Sequence, residues 1–420
     1  MIRSRCVYTL LLYLLLPLLL LRLLWRARRQ PEYLSHIAER FGHYRSAPPS
    51  PLVWIHAVSV GETRAAEPLV RELRQRHPGH RILLTHMTPT GRAAGIALFG
   101  ADVASCYLPY DFPFAIARFL DHFRPAAGIL IETEIWPNLV HACRARGVPL
   151  YLVNARLSEK SSAGYRRFAP LVAESLREFA AIAAQSDADA ARLTALGAVG
   201  VKVTGSIKFD IVPPPELVAR GTRWREQWGM NHGQTRPVLL AASTREGEEA
   251  LLLDALRGVD IPDLLLIVVP RHPQRFDEIA ALLERASLKY QRRSADVALA
   301  PDTRVVLGDS MGEMFAYYAA CDAAFVGGSL LPFGGQNLIE ACAVGCPVIV
   351  GPHTHNFAEA TRLAVAAGAA LQAGDAAQVA KFVRELLADR ARLRQMAHAA
   401  LDFARNHRGA TARVLELIRW

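Results

Sequence analysis

The chain has 420 residues, too many for one ordinary hydrophobic core, so two domains of roughly 150 to 200 residues each are expected. With 51% hydrophobic and 21% charged residues and no low-complexity tract, it can bury large cores, which excludes a disordered chain. The formal net charge is +10, yet Arg3, Arg5, Arg22, Arg26, Arg28 and Arg29 all precede the first acidic residue, Glu32. The rest carries only about +4, a poor footprint for nucleic acid, and no nucleic-acid partner is expected.

The N-terminus pairs that charge with apolarity. From Val7 to Leu21 the chain reads VYTLLLYLLLPLLLL, and Leu23, Leu24 and Trp25 extend it past Arg22. A bilayer span needs about 20 apolar residues, so residues 1–30 read as a membrane-anchor helix that either makes a short span or lies in one leaflet with Arg22 snorkelling. No small-residue cleavage site follows in LRLLWRARRQ, so the segment is expected to be retained. The stronger Arg cluster follows the apolar run, which by the positive-inside rule keeps the remaining chain in the cytoplasm. Six Cys, at 6, 106, 143, 321, 342 and 346, lie in apolar runs without CxxC spacing or paired His, and predict reduced, buried thiols with no metal site.

Beyond a Pro-rich hinge, SAPPSP (46–51), the runs LVWIHAV, RILLTHM, AAGILIE, VPLYLVN and AAIAAQS alternate with helical stretches such as EPLVRELRQRH and NLVHACRARG. Continuous apolarity at strand length means strands buried on both faces, hence a parallel α/β domain over residues 31–212. Residues 213–236, rich in Pro, Gly and charge, read as a linker with a helical stretch around Trp224. PVLLAAS, DLLLIVVP, TRVVLGD, DAAFVGG and CPVIVGP then build a second parallel domain over 237–400, and 401–420 predict a C-terminal helix. Two Rossmann-like domains in series are expected, with ligands at a cleft formed by the carboxyl ends of the strands.

The loops after those strands carry the chemistry. Gly61-Glu62 follows LVWIHAV, where the glycine lets the backbone approach a ligand and Glu62 stands at the cleft mouth; equally, Glu62 complements a helix dipole from the first turn. Glu132 ends AAGILIE with Glu134 two residues on, and paired carboxylates near a core call for a partner. Lys208, in GSIKFD, is one candidate, and a surface lysine beside Asp210 is the other reading. In the second domain Pro270-Arg271-His272-Pro273-Gln274-Arg275 follows a strand and opens a helix, with Arg271 beside its start, a setting for an anion. Gly312-Glu313-Met314 repeats the arrangement with Asp309 or Ser310 as the helix cap. Gly334-Gly335-Gln336-Asn337-Leu338-Ile339-Glu340 allows two readings: Asn337 and Glu340 form a capping box, or Glu340 accepts hydrogen bonds from vicinal ribose hydroxyls. Neither GxxxxGK[ST] nor a clean GxGxxG is present, so a nucleotide is expected without P-loop hydrolysis or redox chemistry, and no cofactor.

Taken in order, HAVSVGE (56–62), ETEIWPN (132–138), NARLSEKS (154–161), GSIKFD (205–210), PRHPQRF (270–276), GEM (312–314) and GGQNLIEACAVGCPVIVGPHTHNF (334–357), together with the anchor, resemble the bacterial 3-deoxy-D-manno-oct-2-ulosonic acid (Kdo) transferase family over essentially the whole chain. The resemblance implies a membrane-associated, inverting, metal-independent GT-B glycosyltransferase of the cell inner membrane. It would move Kdo from CMP-Kdo, bound by the second domain, to the lipid A precursor lipid IVA, bound by the first. It also implies Glu62 as proton acceptor, Glu132 and Lys208 as transition-state stabilisers, and Pro270, Arg271, Gly312, Glu313, Met314, Asn337, Leu338, Ile339 and Glu340 as CMP contacts. Ser206, Arg245 and Gln336 depart from the family's more usual Asn, His and His at those positions, which touches donor geometry. Another GT-B transferase or an epimerase using a UDP-sugar, and a membrane-anchored scaffold without turnover, are the alternatives.

Overall fold

A computed structural model describes residues 4–45 and 51–419; Arg3 and most of the hinge, 46–50, lie outside the described residues. The chain folds as two compact units, residues 1–210 with 408–420, and residues 211–407.

Unit 1 is built on seven strands, β1 (Leu52–His56), β2 (Arg81–His86), β3 (Val103–Tyr107), β4 (Ala127–Ile131), β5 (Leu150–Ala155), β6 (Ala181–Ala184) and β7 (Lys202–Val203), in the order β3-β2-β1-β4-β5-β6-β7. Every pairing is parallel. Every residue of β1, β4 and β5 is buried, as the continuous apolar runs require of strands covered on both faces. The period-2 pleat sends Leu52 and Trp54 into one core and Val53 and Ile55 into the other. Strand order reverses between β1 and β4, and the carboxyl ends there are where open parallel sheets bind ligands.

The apolar N-terminus is two helices, α1 (Arg5–Leu14) and α2 (Leu16–Arg29), bent by 54°. Among the described residues no single helix is long and apolar enough to cross a membrane, so the single anchor helix expected from hydropathy is corrected to a bent pair. Pro17, in the first turn of α2, lacks the N–H that would continue α1's hydrogen-bond ladder. Leu10, Leu14, Leu18, Leu21, Leu24 and Trp25 remain exposed. The thiol expectation also needs amendment: Cys106, Cys143, Cys342 and Cys346 are buried, Cys321 is partly buried, and Cys6 is exposed on α1. Two further unit 1 elements matter below, α3 (Val60–Ala65) after β1 and α4 (Pro137–Ala145) after β4.

Residues 213–236, read as a linker, are an integral part of unit 2: α5 (Pro215–Trp228) followed by the antiparallel pair β8 (Met230–Asn231) and β9 (Gln234–Thr235). A Cβ on Gly221 would meet the Ala316 carbonyl oxygen at 2.3 Å, so only glycine lets α5 lie this close to its neighbour, and Trp224 stacks on Trp228 at 4.7 Å and packs at a tilt against Tyr317 at 5.1 Å. The unit's sheet contains β10 (Val238–Thr244), β11 (Leu265–Pro270), β12 (Tyr290–Arg292), β13 (Val305–Leu307), β14 (Ala323–Val326), β15 (Val348–Val350) and β16 (Ala370–Gln372), ordered β12-β13-β11-β10-β14-β15-β16 and parallel throughout. Its order reverses between β10 and β14. The C-terminal stretch divides differently from a single helix over 401–420. Arg390–Asn406 ends unit 2, and Ala410–Leu417 returns to unit 1, where Asp210 Oδ1 accepts the Gly409 N–H at 2.6 Å and Val414 and Leu415 join the sheet core.

Candidate active site

In unit 1 the loops after β1 and β4 bring three carboxylates to the switch point, and the turn after β7 brings a lysine to them. Ser59 caps α3, and Glu62 in its first turn reaches back, Oε2 accepting the Val58 N–H at 2.7 Å and Oε1 the Ser59 hydroxyl at 2.9 Å. Glu62 thus sits in the first turn of the helix, as the dipole reading expects, and a second property sits on top of it. Burial, then the charges of Glu132 and Glu134, push Glu62 up to about 7 against those two hydrogen bonds. Glu132 leaves β4 in the left-handed region at φ 67, a conformation costing a non-glycine residue about 1–3 kcal/mol and kept where the surroundings impose it. Its Oε1 accepts from Lys208 Nζ at 2.6 Å, which settles the partner question for that carboxylate geometrically. Lys208 lies in a 3-10 turn whose Ile207 N–H is held by Asn154 Oδ1 at 3.2 Å, with Asn154 itself at φ 56. Glu134 Oε2 accepts from Trp136 Nε1 at 2.5 Å, and burial pushes this carboxyl too up to about 7. Burial holds His56 down near 3 and His86 near 4, so both imidazoles are neutral at pH 7, and Lys208 is a cation paired with Glu132 of the cluster.

In unit 2 the candidate residues cluster at the ends of β11, β13 and β14. The Arg271 N–H extends the sheet by donating to the Thr244 carbonyl at 2.9 Å, and Arg271 Nε donates to Gln336 Oε1 at 3.1 Å, joining the segments 270–271 and 334–340. The segment leads into a helix as expected, first as a 3-10 turn at Pro273–Arg275 and then as an α-helix from Phe276, and Arg275 turns inward to Glu249 (2.7 Å) and Glu278 (2.8 Å). Neither Asp309 nor Ser310 caps the next helix, α7 (Met314–Ala320), which begins after Glu313 without a side-chain cap. The Glu313 carboxylate pairs with Arg220 at 2.5 Å and Arg293 at 3.1 Å and accepts the Ser310 hydroxyl, so what segment 312–314 offers a ligand is its turn, with Gly312 at φ 80, rather than that carboxylate. Asn337 Oδ1 accepts the Ile339 N–H at 3.0 Å while its Nδ2 donates to Glu340 Oε1 at 3.1 Å, at the start of α8 (Ile339–Ala343). Leu338 and Ile339 are buried in the fold.

Two residues of evident structural weight were not singled out from sequence. Glu134 was noted beside Glu132 without a role of its own. Glu248, at 0% exposure, opens α6 (Glu248–Arg257) and accepts four backbone N–H groups: Arg245 at 2.8 Å, Gly328 at 2.6 Å, Ser329 at 2.9 Å and Leu330 at 2.8 Å. It thereby holds the glycine loop after β14, where a Cβ on Gly327 would meet Thr244 Cα at 2.6 Å. The signal was present: Gly247-Glu248 repeats, at the turn after β10, the Gly61-Glu62 pattern after β1.

The two parallel Rossmann-like units have a GT-B-like fold. Residues 223–403 match the family model described as glycosyl transferases group 1. The fold is shared by Anabaena Alr3699/HepE, solved in complex with UDP, at 16% identity over 87% of this chain and 98% of that one, with a TM-score of 0.58. Residues 35–211 match the model described as 3-deoxy-D-manno-octulosonic-acid transferase (kdotransferase). The 3-deoxy-D-manno-octulosonic acid transferase of Bordetella pertussis is 48% identical over 99% of both chains, and that of Haemophilus influenzae 39% identical over 99% of this chain and 98% of the other. The chain belongs to the Kdo transferase family, and its reaction class is glycosyl transfer.

Proposed function

We propose that the protein transfers Kdo from CMP-Kdo to lipid IVA with inversion and without a metal ion, at the cytoplasmic face of an inner membrane. The observation that carries this reading is a carboxyl poised near 7, Glu62, beside the Glu132–Lys208 ion pair at the switch point of unit 1. Inversion needs one base on the side of the sugar opposite the leaving group. Glu62 takes the proton of the acceptor hydroxyl as its oxygen bonds to the anomeric carbon of Kdo, and CMP departs with the electrons of the broken bond. Positive charge grows on the sugar ring and negative charge on the phosphate, and Glu132 and Lys208 match those two poles. In unit 2, Arg271 steadied by Gln336 serves the phosphate, Glu340 oriented by Asn337 serves the ribose, and the Pro270 and Gly312–Met314 turns shape the nucleotide site with Leu338 and Ile339 behind it.

We also propose that α1 and α2 lie in one leaflet. Tyr8 and Thr9 hydrogen-bond to Asp111 and Asn138, which holds α1 against the rest of unit 1, while Leu10, Leu14, Leu18, Leu21, Leu24 and Trp25 stay exposed and Arg26, Arg28 and Arg29 occupy the last turn of α2. Incubation of the purified protein with lipid IVA and CMP-Kdo generated in situ, followed by mass spectrometry, tests the activity; one or more Kdo additions, unaffected by EDTA, are expected. A thermal-shift panel should show stabilisation by CMP above that by UDP. Preference for UDP with no Kdo added would favour the UDP-sugar enzymes that share this fold.

A further inference from the structure

The loop carrying Glu132 and Glu134 runs directly into α4, and the start of α4 is held from outside in an unusual way. Its N-cap residue, Trp136, gives no side-chain cap, and Pro137 has no N–H. The next two N–H groups, of Asn138 and Leu139, instead donate to Oδ2 (3.0 Å) and Oδ1 (2.8 Å) of Asp111, which lies on the loop after β3 and is 3% exposed. Asn138 Nδ2 returns a bond to the Asp111 carbonyl at 2.8 Å. Two residues of α1 complete the cluster: Tyr8 OH donates to Asp111 Oδ2 at 3.0 Å, and Thr9 Oγ1 donates to Asn138 Oδ1 at 3.0 Å, while Tyr13 packs its ring on Phe112 at 5.2 Å. On the other side, Trp136 donates its indole N–H to Glu134 at 2.5 Å. Polar contacts from the apolar N-terminal helix to the start of α4 are therefore joined, through the short backbone stretch 136–138, to the Trp136–Glu134 hydrogen bond of the candidate site.

We propose that Asp111 and Asn138 are positioning residues through which docking of α1 sets the geometry of the Glu132–Trp136 loop, so that the N-terminal helix supports the reacting groups as well as the attachment of the protein. The inference rests on the reading of that loop as catalytic. Burial pushes Asp111 up to about 7 despite its N–H and O–H donors, so the carboxylate sits there at a cost that its three donors only partly offset, and loss of any one of them is felt. Removing the Tyr8 donor loosens the start of α4, moves Trp136, and lets Glu134 turn away from Glu62.

The full-length protein in detergent micelles, with the acceptor dispersed in the same micelles so that capture by a membrane is not limiting, separates support from anchoring. In the double variant Tyr8→Phe, Thr9→Val, hydrogen exchange of the segment 136–145 should quicken by about tenfold, as expected for loss of a hydrogen bond to a charged group. In the same variant kcat should fall by roughly two- to tenfold with CMP affinity unchanged, and the acidic limb of the rate profile should move to lower pH as Glu134 leaves Glu62. The control Leu18→Ala, which alters only an exposed apolar side chain of α2, should leave all of these at wild-type values. Wild-type exchange in the double variant, or faster exchange with kcat and pH profile unchanged, would overturn the proposal. A wild-type protein that adds no Kdo fails the functional reading instead, and is told apart because it requires no variant.

Discussion

At the scale of single residues, the site turns on which forces win at Glu62. Two hydrogen bonds to its carboxylate favour ionisation, while burial and two neighbouring carboxylates oppose it, and the opposition prevails. In its proposed role as base Glu62 must be deprotonated to act, so transfer should rise as pH passes through about 7. Glu132→Gln should slow transfer and shift this limb to lower pH, because it removes the larger of the two neighbouring negative charges and releases Lys208 beside Glu62; a limb left in place would separate it from Glu62. Stability should run the opposite way. A carboxyl raised in the folded state binds its proton more tightly there than in the unfolded chain, so its contribution is present below the ordinary carboxylate range and lost as pH rises towards 7. Glu62→Gln should therefore abolish most transfer yet raise the melting temperature at pH 8 by about 2–5 °C, and scanning calorimetry at pH 5 and pH 8 would read the difference. Glu62 was visible in the sequence because a Gly-Glu pair followed a strand. The weight of Glu134 was not, since its perturbation depends on what burial surrounds it with, and that is a matter of tertiary packing.

At the scale of elements, Glu248 shows how a helix start organises a neighbouring loop. Its carboxylate takes N–H groups from the turn after β10 and from the glycine loop after β14, and so ties together the two strands at which the unit 2 sheet reverses. Glu248→Gln places an amide NH₂ against backbone donors. It should destabilise the protein by roughly 2–3 kcal/mol in urea melts and weaken CMP, since charge-assisted bonds of this kind are each worth about 1.5–3 kcal/mol. Undiminished stability would mean the loop holds itself. The strands of continuous apolarity, such as β1, β4 and β11, were legible because burial on both faces forbids polar positions. β3, β7, β12 and β16 were missed: β3 carries Ser105, β7 is two exposed residues, and all four lie at or near sheet edges where one side is free to be polar. The segment 213–236 was misread for the complementary reason, that a charged helix with one buried stripe of Gly221, Trp224 and Trp228 looks like a linker until its partner is known.

At the scale of the molecule, the positive charge divides by place. Arg26, Arg28 and Arg29 end α2 beside the exposed apolar band of the bent pair, a combination that suits an anionic leaflet. Replacing all three by Gln should weaken co-sedimentation with phosphatidylglycerol-containing vesicles by about 1 kcal/mol per charge, with neutral vesicles and CMP affinity little affected. Equal losses on neutral vesicles would assign the attachment to the apolar band alone. Asp210 marks another large-scale feature, since by capping Gly409 it returns the chain's end to the unit in which the chain began.

Sequence by itself determined two parallel α/β domains, the apolar and basic N-terminus, and the ordered motifs that mark the family, because strand burial, charge and motif order are properties of the chain written in one dimension. Tertiary structure decided what depends on neighbours distant in the chain: the inclusion of α5 in unit 2, the Glu132–Lys208 pair, and the buried setting that brings Glu62 to about 7. The physical reason is that desolvation and Coulomb terms act through space, so a carboxylate's proton affinity is fixed only when the fold has chosen what surrounds it.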